Sequence, residues 1–258
     1  MDHAWFYLQG LGWLLLMLGP LLFFQRRLHR ELQVVLLLLT RHPMVALGIF
    51  AVLFFPGVLL HELSHFLMAQ LLLVKTGRFS LIPQLMPEGQ LRLGYVETHP
   101  TDWLRDSLIG AAPLITGGAA MAYLGSSRLG LSPLIDTLAQ GQWEAFAQGL
   151  FALPQLPDFW LWFYLAFTIS STMLPSQSDR RAWLPLAVIL LLLASAALLA
   201  GAGPWLMTTL TPPLNRFFQL LATIFGVSLA IHFVLLVPLV LLRRFLNGIT
   251  GLTVVEKT

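Results

Sequence analysis

Six long apolar runs dominate this chain: Trp5 to Phe24, Met44 to Val74, Trp103 to Leu124, Asp158 to Leu174, Ala182 to Leu199 and Phe217 to Leu242. A membrane-spanning helix needs about 20 predominantly apolar residues, so the pattern predicts an all-α polytopic membrane protein with about six transmembrane helices. Composition agrees. Of 258 residues, 57% are hydrophobic and only 10% charged, against about 25% charged in an average soluble domain. A soluble fold could not bury that much apolar surface. Disorder and coiled coils are excluded on the same ground, and the absence of cysteine excludes a disulfide scaffold. Any metal must then be held by His, Asp or Glu. The net charge of +3 comes without a long Lys/Arg block, which argues against nucleic acid as a partner and leaves the lipid bilayer as the first one.

Three parts follow along the chain. Residues 1–43 hold the first span and a short apolar stretch, Leu32 to Leu39, flanked by Arg26, Arg27, Arg30 and Arg41. Eight residues cannot cross a bilayer, so an interfacial or re-entrant piece is expected there. The first span carries no cluster of positive charge ahead of it and no small-residue cleavage site after it, which reads as a retained helix. Residues 44–185 form a membrane core, with Pro56 expected to kink the second span. Between the second and third spans, Phe79 to Ile82 and Gln90 to Glu97 read as a small β-hairpin. One surface helix is expected over Leu134 to Phe151. Residues 186–258 add the C-terminal spans and tail. In this layout nine cationic side chains, Arg243 and Arg244 among them, lie opposite Arg26, Arg27, Arg30 and three others, which weakly favours the nine-residue side as cytoplasmic.

Chemistry concentrates in His61-Glu62-Leu63-Ser64-His65, an HExxH sequence inside an apolar helix. Residues four apart share a helix face, so both imidazoles can grip one ion while Glu62, about 100° round, reaches a water molecule on the open side. Ionisable groups at such depth are expensive and mark function. Zn2+ suits neutral imidazole and carboxylate donors best. A catalytic zinc wants a third protein ligand, and Asp179, after the Pro175 break at the end of the fourth span, is the first choice; Asp106, His99 and Asp158 are weaker alternatives. The competing reading of Asp179 is an interface charge beside Arg180 and Arg181. His232, deep in the last span, is expected to make a helix–helix hydrogen bond. No Glu downstream lies deep in a span, so a Glu third ligand is disfavoured.

The order HELSH, hairpin, Ala112-Pro113-Leu114-Ile115-Thr116-Gly117, then a span ending in a Pro-containing stretch and an Asp, resembles the site-2 protease (M50) group of intramembrane zinc metalloproteases. The resemblance covers roughly residues 44–185, and HExxH is its one specific motif. It implies that His61, His65 and Asp179 hold zinc, that Glu62 is catalytic, and that the substrate is a transmembrane protein cut within the membrane. Thr116 stands where members carry Asn, and no Gly follows Asp179. An unwound substrate segment could add to a strand edge of the hairpin. The small residues of the third span are expected to bring it close to the HExxH helix. Ser64, Thr116 and Ser170 to Thr172 are candidate linings for a water path. Two rival readings exist: a catalytically inactive HExxH scaffold subunit docked to other membrane proteins, and a divalent-metal transporter, which the scarcity of carboxylates in the spans disfavours. The expected location is a membrane, crossed several times, and the cell membrane if the chain is prokaryotic.

Overall fold

The computed structural model describes residues 2–85 and 91–251. It is almost wholly helical: α1 (Asp2–Thr40), α2 (Pro43–Leu71), α3 (Trp103–Tyr123), α4 (Leu131–Ala139), α5 (Trp143–Ala152), α6 (Phe159–Thr172), α7 (Trp183–Leu199), α8 (Gly203–Trp205) and α9 (Thr211–Thr250). Among the described residues four helical segments are long and apolar enough to cross a membrane: Gln9–Thr40, Pro43–Leu71, Trp103–Arg128 and Gly203–Thr250. The fourth and fifth apolar runs give only α6, with 14 residues, and α7, with 17, each shorter than a bilayer-spanning helix ordinarily needs.

Two local expectations need correction. The stretch from Leu32 to Leu39 is not a separate interfacial piece, because α1 runs unbroken for 39 residues. The reason is local: Arg, Leu, Gln and Glu are good helix formers, and Arg27 pairs with Glu31 one turn on at 2.7 Å. The helix stops only where Arg41 takes a positive φ of 54° ahead of Pro43. The expected single surface helix is two, α4 and α5, parted at Gly141, whose φ of 69° a side chain would disfavour. Pro56 lies within a continuous α2.

The chain divides into two compact units. The first comprises Met1–Leu53, Leu85–Leu91 and Arg181–Thr258, hence α1, the start of α2, and α7 to α9. Its backbone is the pairing of α1 with α9. Successive contacts climb both helices together: Gly10 N–H donates to Asn215 Oδ1 at 2.7 Å, the Phe24 and Phe233 rings lie 5.6 Å apart, and Glu31 meets Arg243 at 2.8 Å. The two helices therefore run parallel. Buried Leu21, Leu28 and Val35 recur every seven residues along α1, the spacing of a helix–helix seam. By contrast α7 buries nothing and exposes Leu190 to Leu193.

The second unit comprises Phe54–Gln84 and Arg92–Arg180, hence the HExxH half of α2, the strands, and α3 to α6. Here β1 (Thr76–Ser80) pairs antiparallel with β4 (Tyr95–Thr98), with partners Thr76↔Thr98, Phe79↔Val96 and Ser80↔Tyr95 and an irregularity between the first two. This is the expected hairpin with its first strand beginning earlier. Two further two-residue strands, β2 (Gln84–Leu85) and β3 (Leu91–Arg92), pair between them; Gln90, expected to open the second strand, lies outside the described residues. Ala69, Val74 and Ile109 form a small core where α3 meets the end of α2.

Candidate metal centre

Two elements deliver the donors. His61 and His65 stand one turn apart on α2, and Asp179 comes from the segment joining α6 to α7. All three lie in the second unit, and among the described residues they are the one group of His and carboxylate donors close enough to hold a metal ion. His61 Nε2 is 3.2 Å from His65 Nε2, Asp179 Oδ1 is 3.4 Å from His65 Nε2, and Asp179 Oδ2 is 3.7 Å from His61 Nε2. A tetrahedral ion bound at about 2.0–2.1 Å sets its ligand atoms about 3.4 Å apart, so the three separations fit one ion.

The second nitrogen of each ring is fixed by a backbone carbonyl that the sequence leaves without a helical partner. His65 Nδ1 donates to Ile109 O at 2.8 Å. That carbonyl would ordinarily accept from residue 113, but Pro113 has no N–H. His61 Nδ1 donates to Thr172 O at 2.6 Å, at the open C-terminal end of α6. The N–H that could have continued α6 onto Thr172, that of Ser176, instead donates to Asp179 Oδ2 at 2.7 Å. Both rings thus carry a hydrogen on Nδ1 and turn Nε2 inward, the orientation a metal ligand takes. The two Nε2 atoms and the carboxylate converge on one point, a donor set that could hold a metal ion.

Glycines make the approach possible. A Cβ on Gly57 would strike the Thr168 carbonyl, one turn below the His61–Thr172 contact, so α6 can lie directly on α2. A Cβ on Gly110 would strike the Asp179 carbonyl, and one on Gly117 would come 2.5 Å from Met173 Cβ. The small residues of α3 therefore hold the segment bearing Asp179, whereas its contact with α2 is made at Ile109. Asp179 is further braced by its own N–H donating to Ser176 Oγ at 3.3 Å. Burial works against its charge, but the two imidazoles and Ser176 outweigh that, and its carboxyl is held well below the ordinary carboxylate range.

Glu62 is 8% exposed and stands outside the three-donor group. The backbone at Gly94, between β3 and β4, lies over it: a Cβ there would be 2.9 Å from Glu62 Cγ and 3.2 Å from Oε1. The alternative third ligands are elsewhere. Asp106 is in the first turn of α3, Asp158 precedes α6 with a positive φ of 54°, and His99 Nδ1 faces Lys75 O at 3.2 Å. His232 lies buried in α9 with Nδ1 on Ser228 O of its own helix at 2.7 Å. The hydroxyls expected along a water path are bound to their own helices: Ser64 to His61 O, Thr116 to Ala112 O, Ser170 to Phe167 O and Thr172 to Thr168 O.

Sequence reasoning missed one polar group. Glu31, fully buried in the first unit, sits between Arg27 and Arg243. Its signal was present, a lone acid one turn after an arginine within an apolar helix. Compared with known proteins, the chain matches no family model, no curated protein and no solved structure.

Proposed function

We propose that this chain is an intramembrane zinc metalloprotease of site-2 protease type, embedded in lipid and acting on transmembrane protein substrates. The observation that carries the reading is the convergence of His61 Nε2, His65 Nε2 and an Asp179 carboxylate at separations of 3.2 to 3.7 Å, with both Nδ1 hydrogens engaged elsewhere. His61, His65 and Asp179 hold Zn2+, which when bound supplies a Lewis acid and brings water ionisation near neutral pH. Glu62, beside His61 on α2, accepts the proton from water and returns it to the leaving amine. The hairpin offers a strand edge to an unwound substrate, and Gly94 brings that strand region over Glu62.

The membrane topology belongs to the same proposal. Helices running parallel, as α1 and α9 do, enter the bilayer from the same side, so the chain crosses an odd number of times between them. With α2 and α3 each crossing, one further crossing is required between α3 and α9, which makes five crossings rather than six.

The test is metal content and cleavage together. Purified protein should carry about one zinc per chain, and Glu62→Gln should keep that zinc while cleavage of a membrane-embedded substrate falls by about 10²–10⁴-fold, the usual worth of a general base. Zinc bound with no cleavage by the wild-type chain favours the scaffold subunit. Absence of zinc defeats both the enzyme and the cofactor assignment.

A further inference from the structure

Beyond the zinc site, the strongest concentration of charge lies where α1 and α9 run side by side. We infer that Arg26, Arg27 and Arg30 of α1, together with Arg243 and Arg244 of α9, bind the phosphate headgroup of an anionic phospholipid. The inference rests on the membrane-embedded reading, and it is independent of zinc and of proteolysis.

Charge imbalance comes first. Among the described residues Glu31 is the carboxylate met by these arginines, and Arg27 and Arg243 already share it at 2.7 and 2.8 Å. Arg26, Arg30 and Arg244 are exposed, and among the described residues Arg26 and Arg244 meet no carboxylate. In the sequence these arginines fell on opposite sides of the membrane. The parallel course of α1 and α9 brings them to one level and moves the weight of positive charge to that side, which the positive-inside tendency marks as cytoplasmic.

Depth comes second. At 1.5 Å per residue the 39 residues of α1 extend about 58 Å, far beyond a hydrocarbon core of about 30 Å. The apolar run from Trp5 to Phe24 fills that core, so Arg26 to Arg30 fall at its edge. Arginine there presents planar paired donors that match a phosphate.

The surroundings select a lipid over a free anion. Phe23, Leu241 and Phe245 flank the arginines with 65%, 58% and 64% of their surface exposed. Cations bordered by apolar surface suit a headgroup whose acyl chains continue along the helices, whereas inorganic phosphate would gain nothing from those side chains.

The experiment uses the full chain reconstituted in phosphatidylcholine bilayers and measures, by electron paramagnetic resonance, the association of spin-labelled phosphatidylglycerol and phosphatidylcholine. The wild-type chain should prefer phosphatidylglycerol by at least about fivefold, since one interfacial arginine is worth about 1 kcal/mol. Arg26→Gln/Arg30→Gln/Arg244→Gln, which leaves the Glu31 pairs in place, should bring the preference close to unity, while Arg128→Gln should leave it unchanged. Equal association of the two lipids with the wild-type chain overturns the inference without needing any variant, as does a preference that survives the triple substitution. Displacement of the labelled lipid by inorganic phosphate, but not by chloride at equal ionic strength, overturns the lipid assignment. Release of the chain from membranes by alkaline carbonate would instead overturn the membrane reading on which the inference stands.

Discussion

Both units hold buried polar groups, and they solve opposite electrostatic problems. In the first, Glu31 has two arginines against it and the cluster closes on itself. In the second, His61, His65 and Asp179 turn two ring nitrogens and a negative charge toward a common point, while the Nδ1 hydrogens are directed away to backbone carbonyls. A buried carboxylate flanked by two guanidiniums is compensated within the protein. Three converging donors are a group that could hold a metal ion. The contrast separates the two clusters, and burial alone would not have done so.

The comparison breaks most visibly if each cluster loses one member. Arg243→Gln leaves Glu31 buried with half its compensation, and removing one partner of a buried pair costs about 3–5 kcal/mol, with the low end expected here because Arg243 is 28% exposed. Thermal or denaturant unfolding in detergent checks this, and an unchanged midpoint would show the pair to be ornamental. Chelator treatment should leave that cluster's contribution untouched.

In the second unit, Gly110→Val drives a side chain into the Asp179 carbonyl and displaces the residue proposed as third ligand. Metal affinity should fall about 10–100-fold, the range seen when groups that orient ligands are lost, and competition with a zinc chelator reads it directly. A smaller change sharpens the division of labour. Gly94→Ala crowds Glu62 Cγ at 2.9 Å without reaching His61, His65 or Asp179, so cleavage should drop by about tenfold with zinc stoichiometry unaltered. Loss of zinc in that variant would contradict the separation of base from ligands.

The smallest effect concerns the start of α3. Asp102 accepts from the N–H groups of Leu104 and Arg105 at 3.1 and 3.0 Å, and these bonds, that from Arg105 foremost, hold its carboxyl below the ordinary range. A depressed carboxyl stabilises the fold above the unfolded carboxylate range and loses that contribution as pH falls through the lower folded value. The unfolding midpoint of Asp102→Asn should therefore show a shallower acid limb than the wild type, with no difference near neutral pH in metal content.

The HExxH pair was legible because its geometry is local: four residues along one helix fix one face whatever surrounds it. Asp179 was legible from Pro175 and a break in an apolar run, and its distance from the histidines needed the fold. What held it there, Gly110, carried no local mark, since a glycine in an apolar helix reads as packing in general. The parallel course of α1 and α9 was illegible for a different reason. Two segments some two hundred residues apart declare no direction to each other, and the arginines of α1 resembled the end of a span when they lie inside a helix continuing past it. The two surface helices depended on a single positive φ at Gly141.

Pro113 has a consequence that runs against ordinary helix engineering. Replacing it with alanine would restore an amide hydrogen to α3 and straighten the ladder, a change that usually raises stability. The restored amide would compete for the Ile109 oxygen and free the His65 ring to flip or tautomerise. If the site holds zinc as proposed, a sturdier α3 would position His65 less firmly, and selection for heat resistance at this position would trade metal affinity for stability.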